Sequence, residues 1–397
     1  MKQKLITLFI SGGVIALILF VVNETFVQPS PTSLNEYAVE MVALCADAPY
    51  RPTCYNEEVP KLTAQISSED IFEVIRLMRN HDPQYLFCHV LAHELGVYDM
   101  SLDPENWLDV LAKAPSDGLC SNGYTHGAAV ARFNGEVLTE KEIAAVTPEF
   151  AIACEAREDW DPTQLQKAMC YHGLGHVLVH LTGADINASL DVCEVIALKE
   201  DGRDHRSLCI EGVYMQLFQP LEPEDYALID QLSEPPTRKN IGRFCSDNSN
   251  NDAQYGACWR ESWPLFYQEL FTSKGVSEYC DSLTQEQGRE SCYISAFTIN
   301  GRHNLDDPDA MAALCNSVQG QQQGVCFARG ANAFPEENNQ LIPEAVDMCS
   351  RAEQTAAQDE CYSFLANTAS FNFHVGSEPF MKMCSALPEK FNEQCRR

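Results

Sequence analysis

The sequence predicts an all-α protein: a run of disulfide-stapled α-helical hairpin repeats, an α/α solenoid, behind one N-terminal transmembrane helix. Three observations carry this. The 18 cysteines fall into close pairs along the chain. In the last third these pairs are 245/258, 280/292, 315/326, 349/361 and 384/395, so the first member advances by 35, 35, 34 and 35 residues. Residues 5–22 carry no charge at all.

The apolar run comes first. Eighteen helical residues rise about 27 Å, close to the thickness of a bilayer core. No small-residue cleavage site follows it, as the next residues are Asn23, Glu24 and Thr25, so an uncleaved anchor is expected. Lys2 and Lys4 on the short flank keep the N-terminus cytoplasmic and put the remainder outside. Residues 1–25 are thus read as the anchor and 26–36 as a tether. The location is membrane-anchored, with the soluble part on the periplasmic or extracellular side.

An exterior location makes the cysteines a disulfide framework. The expected links join sequence neighbours: 45 to 54, 88 to 120, 154 to 170, 193 to 209, and then the five regular pairs. Each regular unit reads as an amphipathic segment ending in a cysteine, a polar loop, a second cysteine and another apolar segment. Met311 to Cys315, then Gln319 to Gly324, then Val325 to Phe334 is one example. A period of this size, with two helices per unit, is that of α-solenoids, where whole hairpins contact mainly their neighbours. Removing residues after about Arg238 is then expected to leave the first half folded.

In order, residues 36–58 form a capping hairpin with Pro49 and Pro52 in its loop. Ser68 to Asn80 is a helix started by Ser67 or Ser68, with Ile71, Val74, Ile75 and Met78 on one face. Helices over 83–98 and 104–114 follow, and then one beginning near Cys120. The Pro- and acid-rich stretch 219–236 separates a histidine-rich irregular repeat domain, 37–236, from the regular repeats, 237–397.

Composition narrows the function. A formal net charge of −30 leaves no basic surface for a phosphate backbone, so no nucleic-acid partner is expected. No Cys-x-x-Cys-His occurs, which argues against covalent c-type haem. Neither the His-Glu-x-x-His pattern of zinc proteases nor a Gly-x-Ser-x-Gly elbow is present.

What remains is a histidine pattern. Cys170-Tyr-His-Gly-Leu-Gly-His176 shares its frame of cysteine, glycine three on and histidine six on with the segment from Cys120 to His126. From Cys209 the same frame holds Glu211 and Met215, and from Cys88 a variant shifted by one residue holds His89 and His93. Histidines four apart lie on one helix face, as a chelate requires. His89, His93, His126, His172, His176 and Glu211 are therefore the expected metal ligands, with His180 one turn further on and Glu94 as a candidate general base. With every cysteine paired, the donors are nitrogen and oxygen, and zinc, iron, copper and manganese all suit them. The glycines at 123, 173 and 212 indicate close backbone approach or room for a ligand. Two functions fit: a metal-dependent extracytoplasmic enzyme or metal-handling protein, or a solenoid that binds a protein or peptide on its concave face, with buried hydrogen-bonded histidines as core.

Overall fold

The computed structural model describes residues 31–82, 88–115, 119–120, 123–133, 137–158, 160–199, 203–220, 223–337 and 339–396. These form α-helices, three short 3-10 turns and no strands. The apolar run at 5–22 lies outside the described residues, and among them no helix is long and apolar enough to cross a membrane.

The helices begin where side chains can cap them. Ser67, Thr139, Thr163, Asp185, Asn251, Thr272, Asp307 and Ser377 each accept a hydrogen bond from a backbone N–H of the first turn. Each such cap satisfies a donor the helix itself leaves open. At Thr139 and Thr163 the bond is reciprocated by Glu142 and Gln166, which makes a full capping box.

The N-terminal part comprises α1 (Pro31–Cys45), α2 (Arg51–Glu58) and α3 (Ser68–His81). Pro52 sits in the first turn of α2 instead of the loop, where its missing N–H costs nothing. Next come α4 (His89–Leu102), α5 (Trp107–Ala112) and α6 (Gly123–Arg132). The helix expected from residue 83 starts only after Cys88, with 83–87 outside the described residues. The one expected from 104 starts at Trp107, because the Asn106 side chain closes a turn onto the Asp103 carboxylate. Four further helices, α7 (Glu140–Ala153), α8 (Gln164–Leu181), α9 (Ile186–Ile196) and α10 (Arg206–Phe218), make two hairpins. The short α11 (Pro223–Ile229) lies within the stretch read as a separator.

The remaining hairpins pair a short first helix with a second that is usually longer. They are α12 (Ile241–Asp247) with α13 (Asp252–Glu261), and α14 (Ser273–Cys280) with α15 (Glu286–His303). Then come α16 (Pro308–Ser317) with α17 (Gln322–Glu337), α18 (Ile342–Ser350) with α19 (Thr355–Asn372), and α20 (Glu378–Ala386) with α21 (Glu389–Cys395). All nine disulfides join the expected sequence neighbours. None of the 18 cysteines is left free, which places the chain in an oxidising, extracytoplasmic or secreted environment.

Helix pairing sets the architecture. In the inner layer α8 packs on α10, then α13, α15, α17 and α19 follow, each on the last. The path then returns, since α19 packs against α8. An open solenoid would leave its first and last inner helices apart, whereas here six helices close into a ring around that concave face. Ahead of the ring, α4 and α6 lie side by side, with α6 against α8. Arg79 at the end of α3 pairs with Glu337 at the end of α17, a second tie between early and late helices. One continuous apolar core runs from Leu34 to Cys395, without a break at residue 236.

Candidate metal and ligand site

Close helix packing assembles the histidines. Along α4 and α6 the backbones nearly touch: a methyl group added at Gly123 would overlap the His89 carbonyl oxygen, and one at Gly127 that of His93. The α8–α10 contact repeats this, with Gly212 against the His172 carbonyl and Gly175 against that of Cys209. The expected cost of glycine in a helix is thus offset by near contact of two helices. Side chains flanking the contact are brought together.

His126 stands at the centre. Its ring centre is 5.0 Å from that of His93 and 5.2 Å from that of His176, with His89 and His180 each at 6.1 Å. His172 adjoins His176 at 5.0 Å. His89, His93, His126 and His176 are all buried. Two imidazoles sharing a tetrahedral ion, each with a nitrogen about 2.0–2.1 Å from it, have ring centres about 5 Å apart. The His93, His126 and His176 rings have that spacing in sequence, His93 to His126 to His176.

A hydrogen-bond chain fixes which nitrogen of His176 is available. Gln216 Nε2 donates to Asp225 Oδ1 at 2.5 Å, so its amide oxygen faces the other way and accepts from His176 Nδ1–H at 2.8 Å. His176 then carries its lone pair on Nε2. His180 Nε2 lies 3.2 Å from the same Asp225 oxygen. A histidine whose second nitrogen donates to a fixed acceptor is the arrangement that orients metal ligands. Asp225 belongs to α11, so the stretch read as a separator supplies the outer end of this chain.

Two nitrogens are left over. His126 Nε2 and His176 Nε2 are buried without a hydrogen-bond partner among the described residues. Burial, and after it the neighbouring imidazoles, hold His126 well below the usual histidine range. Burial also pushes His89 down to about 3 and His176 to about 4, and holds His172 well below its ordinary value. At neutral pH these rings are uncharged, which is the form that binds a metal. Among the described residues, no three His, Cys, Asp or Glu side chains have their donor atoms already converged on one point. The rings are neighbours, but their nitrogens are not all aimed together.

The ring of helices surrounds a cavity of about 430 Å3 beside this cluster, open to solvent near Arg302 and Phe371, and His89, His172 and His176 form part of its wall. That volume lies within the roughly 300–1,000 Å3 of small-molecule sites. Glu211 faces the cavity from α10, but its Oε1 accepts from Arg260 Nη1 at 2.9 Å, so it is engaged in an ion pair. Glu94 is exposed on α4 and is not part of the cavity wall. It follows His93 in sequence, yet successive helical residues point about 100° apart. The cavity's acid is instead Glu261, whose carboxyl burial pushes up to about 8 against the opposing pull of Arg260. Gln219 Nε2 donates to it at 3.0 Å.

The cysteine frame that marked the histidines extends further than the histidines do. Two, six and ten residues after Cys170 stand His172, His176 and His180; after Cys209 the same places hold Glu211, Met215 and Gln219, all on the cavity wall. In later hairpins the wall is formed three, six and ten residues after the second cysteine, which brings in Thr298, Arg302, Arg329 and Glu336. Following the frame past Cys209 finds these residues, Arg329 one residue off it. Compared with protein-family models, curated proteins and solved structures, the chain matches none.

Proposed function

We propose that this chain is an extracytoplasmic metalloprotein: His126 and His176, with His93, hold a divalent transition ion at the histidine end of the ring cavity, and the cavity admits a small molecule to it. The observation that carries the reading is the pair of buried, unpartnered nitrogens, His126 Nε2 and His176 Nε2, on rings 5.2 Å apart. Orphaned buried nitrogen atoms are costly, and an ion between them relieves both. The terminal torsion of histidine is broad, so modest ring rotation brings neighbouring nitrogens onto one point. An ion there supplies a Lewis acid and an activated water.

In this reading the chain's own residues divide the work. Gln216 holds His176 in its ligating tautomer. Glu261, whose carboxyl burial pushes up while Arg260 pulls it down, is the proton donor or acceptor of the cavity, in place of Glu94. Closure of the ring favours a small molecule over an extended peptide as occupant. Zinc, iron, copper and manganese all remain candidates, because imidazole suits several of them. The uncharged run at 5–22, behind Lys2 and Lys4, supports a membrane anchor with the ring outside the cytoplasm.

The test is the metal content of the purified full-length protein, as isolated and after incubation with each of the four ions followed by desalting. Retention of a stoichiometric ion supports the reading. No retained metal under any condition leaves the histidines as core and removes the proposal.

A further inference from the structure

The part of the cavity wall built by α15, α17 and α19 carries a guanidinium that has no carboxylate partner among the described residues. Arg329 on α17 is partly buried and faces the cavity, with its guanidinium 4.8 Å over the Phe364 ring of α19. The other two cavity arginines are paired. Arg260 bonds Glu211, and Arg302 reaches Glu336 at 3.4 Å. Arg329 has no carboxylate within ion-pair distance and no hydrogen bond among the described residues; Glu336 beside it is already occupied by Asn332 at 2.5 Å as well as Arg302. Burial and the nearby Arg260 charge hold the Arg329 guanidinium below its ordinary range, the direction expected of a cation short of counter-charge.

Two more donors share the condition. Thr298 Oγ1 on α15 and Asn372 Nδ2 at the end of α19 belong to residues on the same cavity wall and are buried just behind its surface without a partner among the described residues. Three consecutive inner helices thus each carry an unsatisfied donor at or just behind one wall. Buried donors in native proteins are almost always satisfied, and those that are not mark an absent partner. Here the missing partner must be an acceptor, and beside an unpaired guanidinium it must be negative. A planar or tetrahedral oxyanion accepts two parallel N–H bonds from a guanidinium and has lone pairs to spare for a hydroxyl and an amide.

We propose that the cavity binds a small oxyanion-bearing molecule, a carboxylic acid or phosphate ester, whose anionic group is held by Arg329, Thr298 and Asn372. The subsite stands on the α15–α17–α19 wall and needs no metal, so it goes beyond the metalloprotein reading and survives or fails independently of it. Occupied together, the two sites give the ring a polarity: the anionic end on Arg329, the remainder directed toward the histidines.

The experiment measures thermal midpoints of the full-length protein with increasing inorganic phosphate or malonate, each in excess chelator and again with zinc. The midpoint of wild type should rise in a saturable way with at least one of the two anions, in chelator as well as in zinc, by mass action. Which anion acts tells phosphate from carboxylate. Arg329→Gln should weaken the response about tenfold or more, as expected for a lost charge-assisted bond. Arg243→Gln, which removes an exposed arginine paired with Glu234, should leave it unchanged. Where Arg329→Gln fails to fold, Thr298→Val removes one donor at nearly constant volume and should also weaken the response. The proposal is overturned if neither anion shifts wild type, if the shift appears only with zinc, or if Arg329→Gln and Thr298→Val respond as wild type does.

Discussion

The imidazole of His126, on α6, sits 5.2 Å from that of His176, on α8, and each keeps a buried Nε2 without a hydrogen-bond partner among the described residues. The two residues come from different disulfide-linked hairpins, and the packing of α6 against α8 lets the rings meet. Most of the functional account rests on this pair.

Replacing His126 by Ala should abolish the rise in thermal midpoint that divalent metal gives, while the disulfides and helix content stay as they are. No hydrogen bond to His126 Nε2 is lost, so in chelator the variant should be destabilised only by lost packing, about 1–3 kcal/mol. Thermal melts with chelator and with zinc check this. Equal metal-induced shifts in both proteins would put His126 outside the site.

Gln216→Leu leaves every candidate ligand in place but removes the acceptor for His176 Nδ1–H. Losing such an orienting partner weakens metal affinity by about 10–100-fold. Competition with a chromogenic chelator measures the change. An unaltered affinity would mean that the Gln216–Asp225 chain only fills space.

Acid should unfold the chelated protein early. Unfolded imidazoles titrate near 6.5, a value of about the same size as in model peptides, whereas folded His89 does so at about 3 and His176 at about 4. As pH falls the unfolded chain therefore takes up protons first. The contribution of these groups is complete above the unfolded value and is lost progressively between it and the folded values. Denaturant titrations across that window should show falling stability in chelator. Zinc should raise stability most at neutral pH, and the gap should close on acidification as protons displace the ion. Stability flat across the window would contradict buried neutral histidines.

Ending the chain after residue 236 tests how far the repeats are independent. Repeat periodicity alone expects the first half to remain folded. Ring closure expects otherwise, because the cut removes α19 from α8 and Arg260 from Glu211. A broad transition at a lower temperature is the expected result by circular dichroism.

Much of this was legible in the sequence because it is local. The cysteine period gave the hairpins and their links, since a disulfide across a short helical turn leaves its spacing in the chain. Histidines at i and i+4 gave His89 with His93 and His172 with His176, as helix geometry fixes which face they share. What was not legible depends on contacts distant in sequence. Nothing near α8 signals that α19 packs on it, so the sequence reads as an open solenoid where the helices close into a ring. Asp225 lies in an acidic, Pro-rich stretch that reads as a linker, although its carboxylate lies buried against Gln216. Glu94 adjoins His93 along the chain, but on a helix that adjacency turns it to solvent. Thr298, Arg302 and Glu336 stand six or ten residues after a second cysteine, places that carrying the cysteine frame beyond Cys209 reaches, whereas Arg329 stands one residue off the frame.

The most direct test is X-ray absorption at the metal edge of zinc-loaded full-length protein, wild type and His126→Ala. The account expects a first shell dominated by nitrogen at about 2.0–2.1 Å, with the outer scattering of imidazole and no thiolate sulfur at about 2.3 Å. In the variant the imidazole scattering should fall or the ion should be lost altogether. A wild-type shell without imidazole, or a spectrum unchanged by the substitution, would contradict it.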